Sequence, residues 1–191
     1  MPHHHHHWTS IIPKDDENMH DNSGGDGVMV RGAMVPPRQG QSPSLGFALR
    51  ELLGHLTSAR HTCETQLMQF QQHCQRVGVD MSNQALRQRE WTLWIRERFD
   101  PDMCPHLRDI IDRSRRQVAA SYSWQYSPGQ DVAGHFANAV RLLDVSCQTL
   151  IGMVHQGMND WDAFTKLELE LRAAVGYANF SKEVNPGYFW S

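Results

Sequence analysis

The residues best suited to carry chemistry are a group of arginines in the middle of the chain. Arg113, Arg115 and Arg116 lie within four consecutive positions. Aromatic residues follow within ten positions, at Tyr122, Trp124 and Tyr126. Guanidinium groups bind phosphate and aromatic rings stack on bases, so the pattern is typical of single-stranded nucleic acid binding. Asp109 and Asp112 allow a second interpretation, in which the arginines form local ion pairs on a solvated helix face.

No pattern in the chain is typical of an enzyme. Motifs for a serine nucleophile, a phosphate-binding glycine loop, a zinc protease or a paired-cysteine site do not occur. Cys63, Cys74 and Cys147 fall on apolar helical stripes, where cysteine behaves as a small hydrophobic residue. We therefore predict a protein that is not an enzyme and that has no cofactor and no metal. A zinc site that uses Cys104 and His106 is a weaker alternative.

Length and charge limit what the chain can be. Its 191 residues are enough for one domain with its own core and terminal extensions. The net charge of −3, with histidine neutral, means that contact with a polyanion requires a local basic patch. Four cysteines without paired spacing indicate a reduced, intracellular protein. No apolar run approaches the roughly 20 residues that span a bilayer, so no membrane partner is expected.

The first helical pattern begins after Ser44. Apolar residues recur every three or four positions from Leu49 to Val77, which predicts either one long helix or two antiparallel helices. Gly54 and a following Thr-Ser pair lie where a turn would fall, so the pattern slightly favours a break between residues 54 and 60. Gly78 is expected to end this segment.

Two further helices are expected in the middle of the chain. A short helix from about Asn83 to Arg96 precedes an Asp-Pro-Asp turn at residues 100–102. The next helix has Pro105 at its start and a buried stripe that runs from Leu107 to Tyr122. A loop is predicted over residues 123–130.

The segment from Gln130 to Leu171 predicts a long helix, a break and a shorter helix. Apolar positions recur from Val132 to Val154, and Gly157 follows them. Asp160 can cap the shorter helix. The apolar face of that helix consists of Trp161, Phe164, Leu167 and Leu171.

These elements predict an all-α protein built as an antiparallel four-helix bundle over residues 44–176. Residues 1–43, which begin with the histidine run His3 to His7, are expected to be a flexible arm rich in His, Gly and Pro. We expect the histidine run, natural or part of a tag, to have no role in the fold. Residues 177–191 form an aromatic C-terminal tail that should pack against another surface.

The order of these parts resembles the coat proteins of rod-shaped plant RNA viruses, the tobacco mosaic-type family. The similarity extends over roughly residues 45–174. Thr57-Ser-Ala-Arg60 is similar to the start of the family's second helix, and Arg98-Phe-Asp-Pro101 looks like its Arg-Phe-Pro-Asp turn with two residues exchanged. Residues 112–116 look like the arginine-bearing end of its third helix.

The C-terminal part of the resemblance rests on a glycine, an aromatic residue and a phenylalanine. Gly157, Trp161 and Phe164 match the ending of the family, in which a long helix is followed by a short one. The family usually carries an arginine between the aromatic residue and the phenylalanine, where this chain has Asp162 and Ala163.

The resemblance implies a capsid subunit that polymerises with copies of itself around genomic single-stranded RNA. It places the protein in the virion, and in the host cytoplasm during assembly. The RNA contacts that it implies are Arg60, Arg113, Arg115 and Arg116, whereas Arg98 would be structural. Apolar side chains would supply contacts between subunits, and the candidates are Trp91, Trp94, Trp161, Phe164, Phe189 and Trp190.

The resemblance also implies a direction for the segment from Gln130 to Leu171. Its N-terminal end, near Phe136, would lie close to RNA, because free backbone N–H groups at a helix start favour phosphate. The end with Trp161 would lie at the outer radius, among neighbouring subunits. The alternative from another class is a soluble helical adaptor or regulatory module whose aromatic tail binds a protein partner.

Overall fold

The computed structural model describes residues 28–30, 33–35, 44–98, 103–154 and 159–189. This part of the chain is all-α apart from a small antiparallel hairpin of β1 (Val28–Val30) and β2 (Ala33–Val35), which the sequence did not predict. Val28 pairs with Val35, and Met29 pairs with Met34. The rest of the predicted N-terminal arm, the turn at 100–102, Gly157 and Trp190 lie outside the described residues.

The remainder of the described chain consists of helices and the loops between them. The helices are α1 (Leu45–Val77), α2 (Gln84–Arg98), α3 (Met103–Gln125), α4 (His135–Met153), α5 (Trp161–Val184) and α6 (Pro186–Phe189), with a 3-10 turn at Pro128–Gln130. The short helix predicted from Asn83 to Arg96 is confirmed as α2. The stripe predicted for α3 is confirmed as well, because the side chains from Leu107 to Val118 on that face are buried.

Helix α1 runs unbroken for 33 residues, so the expected break between residues 54 and 60 is wrong. Its buried stripe continues across Gly54, with Leu52 and Leu56 both inaccessible to solvent. One glycine in a helix costs about 1 kcal/mol, which the burial of an uninterrupted stripe offsets. The Ser44 side chain accepts a hydrogen bond from the Phe47 N–H, and Gly78, with φ of 78°, ends the helix.

The four long helices each pack against two others. Helix α1 contacts α3 and α5, and α4 contacts the same two helices. The Leu45 N–H donates to the Gln125 side chain at 2.8 Å, which brings the start of α1 to the end of α3. Those two helices are therefore antiparallel. The short helix α2 packs across α1 and α5.

Two boundaries in the C-terminal half differ from the prediction. Helix α4 begins at His135, and Val132 is 96% exposed, so Val132 does not belong to the apolar stripe. Asp160 caps α5 as predicted, but α5 has 24 residues and is longer than α4, which has 19. Its buried face continues to Ser181, which explains the extra length. Residues 177–184 of the predicted tail thus belong to a helix.

Candidate nucleic-acid interface

The arginine cluster lies in the middle of α3. About nine residues separate Arg116 from Gln125, the last residue of the helix, which corresponds to roughly 14 Å of helix. The expectation that these arginines mark a helix end is therefore wrong. The reason is that the helical pattern continues through Tyr122 and Gln125, three residues into the predicted loop.

Acidic partners engage two of the three arginines. Arg115 contacts the Asp144 carboxylate of α4 at 3.0 Å and Asp112 at 3.5 Å, and only 21% of its side chain is exposed. Arg116 also pairs with Asp112, but 71% of its side chain is exposed. The ion-pair interpretation therefore fits Arg115, which joins α3 to α4, whereas Arg116 is accessible to a second anion.

Arg113 and Trp124 share the outer face of α3. They are eleven residues apart, close to three helical turns, so their side chains leave the helix in nearly the same direction. Arg113 is exposed and makes no hydrogen bond or ion pair with the described residues. The Trp124 side chain is 80% exposed. We call Arg113, Arg116 and Trp124 the outer α3 face.

One negative group is present on the same face. Asp109 lies four residues before Arg113, and 67% of its side chain is exposed. Its carboxylate is 3.3 Å from Arg108, which neutralises part of its charge. The outer α3 face therefore remains net positive, with an aromatic ring at its C-terminal end.

Arg60 is a structural residue in the middle of α1. Its guanidinium lies 3.2 Å from Glu64 and 3.6 Å from Glu168 of α5. Glu168 is only 5% exposed and also accepts from Arg172 at 2.9 Å. Because a buried carboxylate requires compensating donors, Arg60 is needed for the contact between α1 and α5. Its predicted position at a helix start is wrong, since α1 does not break.

Three of the predicted interface residues are buried within the chain itself. Trp91 is inaccessible and its ring centroid lies 4.9 Å from Phe70 and 5.0 Å from Phe164. Trp94 is 5% exposed, and its indole N–H donates to Gln66 at 3.2 Å. Trp91, Trp94 and Phe164 thus join α2 to the core, and their use as subunit contacts is wrong. A pattern of large apolar residues does not distinguish a core from an interface.

The remaining interface candidates are Trp161, Phe189 and Trp190, of which the structure describes the side chain of Trp161. Trp161 is half-buried, with the Arg87 guanidinium 4.1 Å from its ring. Gln88 links α2 to the same region, because it donates to the Asn159 carbonyl at 2.6 Å and accepts from the Trp161 N–H at 2.8 Å. The side chains of Phe189 and Trp190 lie outside the described residues. Arg98 stacks on Trp94 at 4.2 Å, in agreement with the structural role expected for it.

The start of α4 is already occupied by a carboxylate. Asp131 accepts from the Ala137 N–H at 2.8 Å and from the Tyr126 hydroxyl at 2.9 Å. The hydrogen bond from Ala137 is the main cause that lowers the pKa of Asp131 below its ordinary value. The expected phosphate site near Phe136 is therefore wrong, because the side chain of Asp131 takes the place of the anion.

A groove separates α3 from α4 on the outside of the molecule. Its volume is about 550 Å³. The residues that line it are Val118, Ala119, Tyr122, Ala137, Asn138, Val140, Arg141 and Asp144. Arg115 bridges the two helices beside it through Asp144, and Arg116 lies one turn before Ala119. We call this feature the α3–α4 groove.

The described residues contain neither a metal-binding cluster nor a helix that could span a membrane. No group of three or more His, Cys, Asp or Glu side chains in this part of the chain is arranged to hold a metal ion. The side chain of Cys104, the predicted zinc ligand, lies outside it. None of the helices described combines the length and apolar character that a bilayer span requires.

Comparisons with protein-family models, with curated proteins and with solved structures found no match to this chain.

Proposed function

We propose that this protein is a structural subunit that polymerises helically around single-stranded RNA, as coat proteins of rod-shaped plant viruses do. In this proposal the four long helices form an antiparallel four-helix bundle, and the polymer is a virion assembled in the host cytoplasm. The observation that carries the proposal is the outer α3 face, where an exposed tryptophan and an arginine with no ion pair to a described residue lie along one side of one helix.

The chemistry of this face suits a sequence-independent contact with RNA. Arg113 can neutralise a phosphate and release a counterion from the RNA, and no ion pair with a described residue has to break first. Arg116 is exposed enough to add a second contact. Trp124 presents a large ring to solvent, on which any of the four bases can stack. A subunit that coats a whole genome requires such tolerance of sequence.

The proposed RNA site is narrower than the set of arginines implied by the resemblance. Arg113 and Arg116 remain, and Trp124 is added from the aromatic residues that follow them. Arg60 and Arg115 are assigned to the contacts of α1 with α5 and of α3 with α4, because their guanidinium groups already pair with carboxylates. Their loss would act on RNA only through the fold.

Contacts between subunits are assigned to apolar side chains that the chain leaves exposed. These are Met68, Leu93, Val145, Leu169 and Phe180, each at least 42% exposed. They lie on α1, α2, α4 and α5, so they face several directions around the molecule. Different patches on one subunit permit head-to-tail contacts, which generate an open filament when the rotation does not close.

Negative-stain microscopy of the full chain mixed with single-stranded RNA tests the proposal. We expect rods or stacked discs for the wild type. The double variant R113A/R116A should lose RNA-containing rods and keep a folded subunit by circular dichroism. The matched control is R89A/R96A, which removes two exposed arginines of α2 that have no ion pair among the described residues. Rods of normal RNA content in R113A/R116A would exclude the outer α3 face as the RNA site.

The second candidate function is a soluble helical adaptor that binds a protein partner. The α3–α4 groove favours it, because an apolar groove between two helices is a common site for a partner segment. The same microscopy separates the two functions. An adaptor would give featureless monomers or dimers with and without RNA, and no salt-dependent RNA binding would be measured.

A further inference from the structure

Helix α5 carries a second stripe of residues on the side that faces away from the core. Its inner side holds the buried residues from Phe164 to Ala178, which pack within the chain. On the outer side, six exposed or half-buried residues recur at alternating steps of three and four, so they share one face of the helix. We call this set the outer α5 stripe, and its members are Lys166, Leu169, Ala173, Gly176, Phe180 and Glu183.

The middle of the outer α5 stripe is apolar and open to solvent. Leu169 is 53% exposed and Phe180 is 42% exposed, with Ala173 and Gly176 between them. Apart from its chain neighbours and the surrounding helix backbone, no atom of the described residues lies within 4 Å of the place where a Cβ of Gly176 would stand. Because the distance between packed helices depends on the side chains at the contact, these two small residues allow a second helix to approach closely.

The two ends of the stripe carry opposite charges. Lys166 and Glu183 are both exposed, and neither has an ion pair with a residue that the structure describes. They are 17 residues apart, which is about 26 Å of helix, so they cannot pair with each other. A partner that covers the stripe should therefore present an anion at one end, an apolar middle and a cation at the other end.

A second copy of α5 that runs in the opposite direction has this pattern. The stripe is symmetrical about a point midway between Ala173 and Gly176. In an antiparallel pair centred there, Lys166 of each copy faces Glu183 of the other, and Leu169 faces Phe180. A two-fold axis makes each of these contacts occur twice. We propose that two copies of the protein associate through an antiparallel contact of their outer α5 stripes.

The dimer should be weak and reversible, because only one helix of each copy takes part and small interfaces are typical of transient contacts. It requires no RNA and does not rest on the proposed function. It uses two of the exposed apolar residues that were assigned above to subunit contacts. Met68, Leu93 and Val145 stay available for contacts in other directions.

Charge reversal tests the proposal in the full chain without RNA. In K166E two repulsive pairs replace two ion pairs, so the dimer dissociation constant from sedimentation equilibrium should rise about tenfold. The double variant K166E/E183K exchanges the charges within each pair and should restore the wild-type constant. The matched control R89E makes the same change in net charge at an exposed position of α2 and should leave the constant unchanged.

Three results of this experiment would overturn the proposal. The first is a wild type that stays monomeric at every concentration. The second is a K166E variant that dimerises as well as R89E does. The third is a K166E/E183K variant that dimerises as weakly as K166E. Because the exchanged residues are exposed, we expect all variants to fold, and circular dichroism checks this.

Disulfide trapping tests the antiparallel arrangement. In L169C/F180C the two cysteines of one chain are eleven residues apart, which is about 16 Å of helix, so they cannot form a disulfide with each other. Mild oxidation should give a covalent dimer and no larger product, because a two-fold pair uses both cysteines of both chains. The single variants L169C and F180C should give no covalent dimer. A ladder of larger products, or no covalent dimer in L169C/F180C, would overturn the antiparallel contact.

Discussion

At the scale of single residues, two arginines of α3 differ in role. Arg115 stabilises the packing of α3 on α4, whereas the proposed function assigns Arg113 to RNA. Arg115 pairs with Asp144 of α4, and its buried Nε has no hydrogen-bond partner in the part of the chain that the structure describes. We expect R115A to lower the free energy of unfolding by about 1 kcal/mol, because Asp144 loses its ion pair. R113A should change the free energy of unfolding by less than about 0.5 kcal/mol, since Arg113 is exposed and has no ion pair with any residue that the structure describes.

For RNA affinity we expect the opposite ranking of the two substitutions, with R113A having the larger effect. Under the proposed function, R113A weakens binding and R115A leaves the affinity of the folded protein unchanged. Urea unfolding followed by circular dichroism measures stability, and fluorescence anisotropy with a labelled single-stranded RNA measures affinity at fixed salt. A folded R115A protein that binds RNA more weakly than R113A would contradict this division of tasks.

The thiol of Cys147 makes stability depend on alkaline pH. Burial is the main cause that raises its pKa to about 12 from the ordinary value of 9.0, and the nearby Asp144 carboxylate adds to the effect. Between these values the unfolded chain releases the thiol proton and the folded chain retains it. Stability from this group is thus fully present below pH 9 and is lost as the pH rises.

We expect the Cys147 contribution to fall by about 1 kcal/mol for each pH unit above 9. Urea unfolding at pH 8, 9 and 10 gives the free energy of unfolding against pH for the wild type and for C147A. The difference between the two slopes is the contribution of Cys147. C147A should lose stability less steeply with pH than the wild type, whatever its stability at neutral pH. Parallel slopes would show that Cys147 ionises in the folded protein.

At the scale of elements, two glycines of α1 test whether the helix is continuous. Gly54 lies inside the helix, and apart from its chain neighbours and the surrounding helix backbone no atom of the described residues lies within 4 Å of the place where a Cβ would stand. G54A should therefore raise the free energy of unfolding by about 0.5–1 kcal/mol. Gly78 ends the helix with φ of +78°, a conformation that alanine adopts at a cost. G78A should lower stability by about 1 kcal/mol.

These two variants have the same chemistry and opposite expected signs. Thermal or urea unfolding measures both, and each serves as the control for the other. A destabilised G54A protein would indicate that residue 54 lies in a turn, as the sequence pattern slightly favoured. The structure instead requires stabilisation, because alanine is the better helix former at an exposed helical position.

Element type could be predicted from the sequence, whereas element ends and partners could not. Apolar spacing located α3, because burial imposes a period of three or four residues, and the capping residue Asp160 located the start of α5 at Trp161. The same spacing cannot tell whether a glycine interrupts a helix, which depends on what packs on either side. It also cannot tell that Trp91 faces Phe70 and Phe164 rather than a second subunit.

The arginine site shows the same division between local pattern and tertiary contact. The sequence located the cluster and the local acid Asp112, which lies within one turn. It could not reveal Asp144, which lies 29 residues from Arg115 and meets it only through the packing of α3 on α4. The separation of Arg113 from Arg115 is therefore a property of the packed helices.

At the scale of the whole molecule, net charge and local charge would act against each other in the RNA binding that we propose. The subunit carries a net charge of −3, so the average electrostatic force between the subunit and a polyanion is repulsive. Under the proposed function, attraction comes from the outer α3 face, which offers two accessible arginines, Arg113 and Arg116. Binding by one subunit should therefore be weak, and a polymer multiplies many such contacts along one strand.

This balance predicts a small salt dependence for each subunit. With two phosphate contacts on single-stranded RNA, the logarithm of the binding constant per subunit should fall with the logarithm of salt concentration with a slope of roughly −1.4. R113A should bring the slope to roughly −0.7, while R89A, on α2, should leave it unchanged. Anisotropy titrations with a short labelled RNA measure this salt slope. Such an RNA holds only one or two subunits, so no filament assembles. A slope unaffected by R113A would show that RNA binds to a different face of the molecule.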